Sequence, residues 1–433
     1  MQSWKMLVLV FTIIFYSGCR TPEPQSELIE INIERNVQNV KPLSICDLNG
    51  ELRYIPLRGN SVQLRTIILT DFYQDLMLAT DRFTCVLCDL QGNIVAKIGN
   101  RGKGPGEYSL IMSMKFGAHG RIYLQDGRIF NEYDLKGNYL RMFKPAVNPE
   151  KITAVGGGTM YSWAPYNDSL FIGQVANDSG KEKYKAVFFN EMGKTVFAIP
   201  NHIFLNKAQP YSDSNNSDAW IYELEGKTYF KELYNDTVFR VNDQFVFEPA
   251  YYFNFGKYGL PKSVRELPMS GRTEEREKYI GMRGIYETSQ YLFLDCDFRN
   301  HSPAKRSEPF KYKDPLAGQD KIWWFYPAGM LGIYDKSSNE LVFAEPVKSD
   351  DNLTNDGLYN DYDGGVHFYP RTRVNDSTLA MWVDAWEFKL HVASRAFKNS
   401  TPKYPEKKKE LERLATGLND SDNPVLILCT FKK

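Results

Sequence analysis

The chain has 433 residues, of which 42% are hydrophobic and 14% aromatic, and its 53 Lys+Arg balance 53 Asp+Glu for a net charge of zero. That is enough apolar material for a sizeable core, and the aromatic share suits strands. The balanced charge excludes nucleic acid and an anionic membrane surface as expected partners.

The N-terminus comes first. Lys5 and the terminal amine precede Met6–Tyr16, an apolar run of 11 residues that is too short to span a bilayer. Ser17-Gly18-Cys19 then resembles a lipobox, whose Cys19 is acylated and becomes the mature N-terminus, although Tyr16 stands where Leu is usual. Residues 1–18 are therefore expected to be a lipoprotein signal peptide, and 19–48, with little regular pattern, a tether. Residues 49–433 are expected to form the folded domain. The implied location is outside the cytoplasm, in the cell envelope at the outer membrane, with the membrane contacted through the lipid anchor only.

Leu52–Leu57 reads as a short strand. Ile67–Phe72, Leu76–Thr80, Cys85–Leu90 and Ile94–Ile98 follow as four strands, then Ser113–Phe116, Arg121–Gln125, Ile129–Asp134 and Tyr139–Phe143 as four more. The turn Asp89-Leu90-Gln91-Gly92-Asn93 returns 45 positions later as Asp134-Leu135-Lys136-Gly137-Asn138. Gly and Asn tolerate the positive φ of a tight hairpin, and a period near 45 with short strands is that of a β-propeller blade.

A third blade begins near Ile152, places Trp163-Ala164-Pro165-Tyr166 at a turn and ends in the hairpin Val187–Phe197. A fourth runs from Trp220 through Lys227–Leu233, Thr237–Val241 and Gln244–Glu248, before a helix over Arg272–Tyr279. The fifth has Gly284–Thr288, Tyr291–Asp295, Met330–Asp335 and Leu341–Ala344, with a charged, Pro-containing insertion at 299–320. The sixth has Gly365–Tyr369, Thr378–Val383 and Pro424–Phe431, with helices over Ala385–Ala396 and Glu406–Thr416. Five blades are complete and the sixth is one strand short. A propeller left open exposes two unpaired edges, so Leu52–Leu57 is placed at the outer edge of blade six. The expected fold is all-β: a six-bladed β-propeller with small helical insertions, closed by an N-terminal strand in the last blade.

Between the first two blades lies Gly99-Asn100-Arg101-Gly102-Lys103-Gly104-Pro105-Gly106-Glu107-Tyr108. A P-loop needs Gly-Lys-Ser/Thr opening a helix, whereas Lys103 is followed by Gly104 and Pro105. The stretch reads instead as a link from the outer strand of one blade to the inner strand of the next, presenting Arg101, Lys103, Glu107 and Tyr108 near one mouth of the channel. The signature Gly102-Lys103-Gly104-Pro105-Gly106-Glu107-Tyr108, the preceding Asp-x-x-Gly-Asn-x-x-x-x-Ile-Gly and the lipoprotein-type start resemble the six-bladed β-propeller lipoproteins of Bacteroidota, distant relatives of NHL-type propellers. The resemblance covers residues 50–145 most closely and implies the fold. It carries over no catalytic residue.

Little else points to chemistry. The five histidines are scattered, and no metal-binding spacing occurs. Asn360-Asp361-Tyr362-Asp363-Gly364-Gly365 resembles the start of a calcium loop, but Arg371 and Thr372 stand where the closing acid would fall, which favours a plain turn. Cys85 and Cys88, three apart in a strand, point to opposite faces and read as packed thiols. Trp323 and Trp324, beside the blade-five insertion, offer aromatic surface for stacking. No metal or cofactor is expected. The leading expectation is a binding or scaffold protein whose ligand is a glycan, a peptide or an envelope protein. The alternative is a polysaccharide hydrolase or lyase with its site in the channel.

Overall fold

The computed structural model describes residues 28–59, 62–146, 160, 162–177, 179–207, 219–267, 275–303, 310–313, 320–323, 329–346 and 357–432. Six sheets of four or five strands form the blades of the propeller. Blade one is Leu69–Tyr73, Leu76–Thr80, Cys85–Asp89 and Ile94–Lys97, and blade two is Ser113–Phe116, Ile122–Asp126, Ile129–Tyr133 and Tyr139–Phe143. Blade three is Trp163–Pro165, Leu170–Gln174, Tyr184–Asn190 and Thr195–Pro200, and blade four is Ala219–Leu224, Lys227–Glu232, Thr237–Val241 and Phe247–Asn254. Blade five is Gly281–Glu287, Tyr291–Asp297, Met330–Asp335 and Glu340–Ala344. Blade six is Thr372–Arg373, Thr378–Val383, Val425–Phe431 and, from the other end of the chain, Gly50–Pro56.

Each inner strand neighbours the next around a closed ring, with Thr372–Arg373 against Leu69–Tyr73 completing it. Closure is made as the strand count requires: Gly50–Pro56 pairs antiparallel with Val425–Phe431 over seven residues, from Gly50↔Phe431 to Pro56↔Val425.

Blades one to four share one hairpin, between their third and outer strands. Asp89 Oδ1 accepts from the amides of Gln91 and Asn93 at 3.0 and 2.9 Å, and Asp134 Oδ1 accepts from Lys136 and Asn138, both at 2.9 Å. Asn190 and Asn242 play the same part in blades three and four. The fourth residue of this turn takes a positive φ: Gly92 at 93°, Gly137 at 82°, Gly193 at 77° and, in blade four, Phe245 at 61°. The glycines are needed for space as well as for φ. A Cβ on Gly92 would lie 2.3 Å from the Pro56 carbonyl oxygen of the preceding blade, and one on Gly137 2.6 Å from that of Lys97.

Residues 28–48 are not a free tether. Ile29–Asn32 adds a parallel strand to the outer edge of blade four, and Val40–Lys41 adds one to blade five. Ile31, Ile33, Val37 and Ile45 are all buried. This segment wraps the rims of blades four and five before entering blade six.

Other boundaries also differ from the sequence reading. Trp163-Ala164-Pro165 is the inner strand of blade three, and Trp163 is buried with its Nε1 donating to Gln125 Oε1 at 2.8 Å. Gln244 and Phe245 lie in the turn, so the outer strand of blade four starts at Phe247. The inner strand of blade six is Thr372–Arg373; residues 365–369 hold only a bridge, Leu358↔Phe368. Ile152 and residues 272–274 lie outside the described residues. The blade-six helices run Ala385–Ala393, Arg395–Asn399 and Pro405–Thr416, and bury Phe388, Phe397 and Leu411 in the core.

Candidate functional site

Because successive strands of a blade are antiparallel, the links between blades emerge at the same end of the ring as the connections from second to third strand. Every long connection falls into one of these two classes: the glycine link, the 298–329 and 384–424 insertions, and the stretches at 201–218, 255–280 and 345–371. Among the described residues the opposite end carries short turns and the approach of the N-terminal segment to Gly50. Loops on a rigid scaffold are where binding residues concentrate, so the long-loop end is the candidate functional face.

The glycine link lies on this face and splits in two. Asn100–Arg101 and Glu107–Tyr108 pair as a small parallel ladder, closed by Gly102 N donating to Tyr108 O at 2.9 Å. Tyr108 is buried between blades one and two, its hydroxyl on the Ile98 carbonyl at 3.3 Å, and burial pushes its phenol pKa up. Glu107 turns back to accept from the Gly104 amide at 2.7 Å. Both side chains therefore shape the loop. Arg101 and Lys103 are exposed. The Arg101 guanidinium lies 4.8 Å from the ring centre of Phe83, which projects from the second-to-third connection of blade one, and Arg65, on the link from blade six, lies 6.0 Å from the same ring. An exposed phenyl flanked by two guanidiniums thus gathers residues from three separate connections.

Toward the centre, Arg283 donates to Asp295 Oδ1 through Nε and Nη2 at 2.9 and 2.8 Å, and the Tyr369 hydroxyl donates to the same oxygen at 2.6 Å. Burial, and then the Asp295 charge, push the Tyr369 phenol pKa up. Asp361 Oδ1 accepts from the Cys46 amide at 3.0 Å, and buried Asp363 accepts from Gly365 N and Tyr54 OH. These carboxylates of the calcium-like stretch fasten the N-terminal segment to blade six. Among the described residues no three His, Cys, Asp or Glu side chains converge as a metal site. Cys85 and Cys88 are buried free thiols, and burial pushes Cys88 up to about 12. Trp323 sits in the hairpin Phe310–Lys313/Asp320–Trp323 of the blade-five insertion, paired with Phe310. Trp324 and Cys19 lie outside the described residues.

A second concavity lies in the groove between blades three and four, where Phe245 replaces the turn glycine. Its ring packs on Phe188 at 4.6 Å and on Phe197 at 5.2 Å. A cleft of about 370 Å³ opens there, walled by Phe197, Phe239, Phe245 and Phe247. At the long-loop end it adjoins a chamber of about 40 Å³ lined by Gln174, Asn177, Lys185, Asn201, Lys207 and Glu232, with Lys185, Ile203 and Glu232 common to both. No sequence spacing marked Phe83, Arg65 or this groove, since their residues come from different blades; a Phe in the glycine position of the repeated turn was the one available signal.

The family model described as Domain of unknown function (DUF4934) matches residues 28–430. A protein of Bacteroides fragilis described as exported superimposes with a TM-score of 0.62 at 16% identity, covering 94% of this chain and 100% of that one. At that identity the likeness speaks for the fold alone. A DUF4221 family member from Bacteroides vulgatus aligns over 88% of this chain and 96% of its own at 11% identity, with a TM-score of 0.44. No curated protein matches the chain. No helix among the described residues is long and apolar enough to cross a membrane.

Proposed function

The chain belongs to this domain-of-unknown-function family, and from that premise we propose that it is an envelope binding or scaffold protein that presents a partner site at the long-loop end of its propeller. One observation carries the reading: Phe83, exposed between Arg65 and Arg101 on that face. An aromatic ring stacks on sugar faces or apolar side chains, and guanidiniums beside it hold carboxylates. The favoured ligands are a glycan, a peptide or an envelope protein that carries acidic groups, with Lys103, and Trp323 and Trp324 of the blade-five insertion, extending the surface. Asp295 of blade five is already held by Arg283 and Tyr369, which favours binding over a polysaccharide-cleaving role. Lipidation at Cys19 would tether this NHL-like propeller to the outer membrane.

The test is a screen of acidic polysaccharide and peptide arrays with the wild-type chain and with the Arg65→Ala/Arg101→Ala double variant. An exposed cation–π contact contributes only about 0.5–1 kcal/mol, so the variant keeps its melting temperature and loses array binding. A variant that binds as well as wild type removes this surface from the account. The anchor is tested separately: Cys19→Ala should leave the membrane fraction, and a folded variant that stays there contradicts it.

A further inference from the structure

The groove between blades three and four is lined by a residue that departs from the repeated turn, Phe245. In blades one and two the turn glycine lets the hairpin lie directly on the carbonyl of the blade before it. Phe245 puts a ring in that place, packed against Phe188 and Phe197 of blade three. The cleft there has four phenylalanine walls.

The floor of the cleft is charged and incompletely paired. Lys185 sits at a bulge between Tyr184 and Ala186, buried at 7% exposure, with its ammonium 4.5 and 4.9 Å from the ring centres of Phe239 and Phe247. Glu232 is its ion-pair partner at 3.7 Å, a long separation, and Lys185 Nζ makes no hydrogen bond to a described residue. An ammonium carries three donors. Beside it, Gln174 is 4% exposed; its Nε2 donates to the Val175 carbonyl at 2.9 Å, while its Oε1 is buried without a partner among the described residues. A buried acceptor left open costs roughly 1–3 kcal/mol, and a ligand that satisfies it recovers that energy. The chamber these groups line therefore asks for an acceptor at Lys185 and a donor at Gln174. Its volume of about 40 Å³ admits a few heavy atoms and excludes a sugar ring.

We infer that this groove binds a free amino acid with a large apolar side chain. The carboxylate takes Lys185, the ammonium is shared between Gln174 Oε1 and Glu232, and the side chain lies among Phe197, Phe239, Phe245 and Phe247. Lys185 and Glu232 supply a cation and an anion to match a zwitterion, Lys207, the chamber's other cation, donates to the Asn177 carbonyl at 3.3 Å, and the apolar walls match the side chain. This site is distinct from the Phe83 surface and stands or falls independently of it.

The experiment is calorimetric titration of the full folded domain with L-phenylalanine and L-leucine. The controls are 3-phenylpropionate, which lacks the ammonium, and phenethylamine, which lacks the carboxylate. Both amino acids bind, and each control binds at least about tenfold more weakly, a difference of about 1.4 kcal/mol. Lys185→Met weakens L-phenylalanine by a similar factor. Should that variant fail to fold, Phe197→Ala, at a position 43% exposed, keeps the fold and still weakens binding. Three results would each overturn the assignment. They are no heat with either amino acid at about 10 mM, tenfold above a millimolar Kd, a control that binds as tightly as the amino acid, and affinity unchanged in a folded Phe197→Ala.

Discussion

Gly92 and Phe245 occupy the same place in two hairpins and have opposite consequences. Gly92 brings the blade-one turn against the Pro56 carbonyl, whereas Phe245 packs a ring on Phe197 of the preceding blade and lines a cleft. The left-handed backbone costs a side chain about 1–2 kcal/mol, and forcing a methyl into a packed contact adds roughly 1–3 kcal/mol. Gly92→Ala is therefore expected to destabilise the fold by about 2–5 kcal/mol, the sum of the two effects. Gly127, at φ 59° with no atom within 4 Å of where a Cβ would sit, is the control: Gly127→Ala carries only the backbone cost of about 1–2 kcal/mol. Denaturant melts compare the two, and equal losses would mean that the close approach of the blades is not what Gly92 serves. Residues at this scale explain why Arg101 could be read from the sequence and Phe83 could not. Arg101 stands in a recognisable glycine motif, while its stacking partner is a lone Phe in another connection, brought near only by the ring.

Among the elements, the N-terminal segment alters the picture most. Strands four and two residues long, pairing parallel at the rims of blades four and five, cover edges that would otherwise offer free N–H and C=O groups to other chains. Deleting residues 28–41 should expose both edges and remove buried Ile31 and Ile33, truncations of a kind that cost about 2–5 kcal/mol each. The expected outcome is aggregation or a clear drop in melting temperature; a soluble truncation with the wild-type melting curve would show that these strands are ornamental. Nothing in the sequence announced them, because Ile29 pairs with Tyr251, far along the chain. Blades one and two were legible almost strand for strand, since each carries its Asp-x-x-Gly-Asn turn. In blade three, Leu170–Gln174 is buried almost throughout and shows no alternation. The inner strand of blade six, with two residues, is too short to carry any pattern. In blade four the missing glycine hid the turn at Phe245.

For the whole molecule, antiparallel blades sort the connections by end, so that the links between blades and the second-to-third connections share one end of the ring and the short hairpin turns lie at the other. The ring itself was legible from the strand count, because an open propeller leaves edges that must be closed. Which loops meet across the long-loop end was not, because that depends on how the blades are set around the axis. The most direct test of the account is a photo-crosslinking amino acid placed in intact cells at Lys103, on the long-loop end, and at Lys136, in a short turn at the other; both positions are exposed. The account predicts a discrete adduct from position 103 that disappears in the Arg65→Ala/Arg101→Ala background, and none from position 136. Adducts from position 136 alone, or equally from both ends, would contradict it.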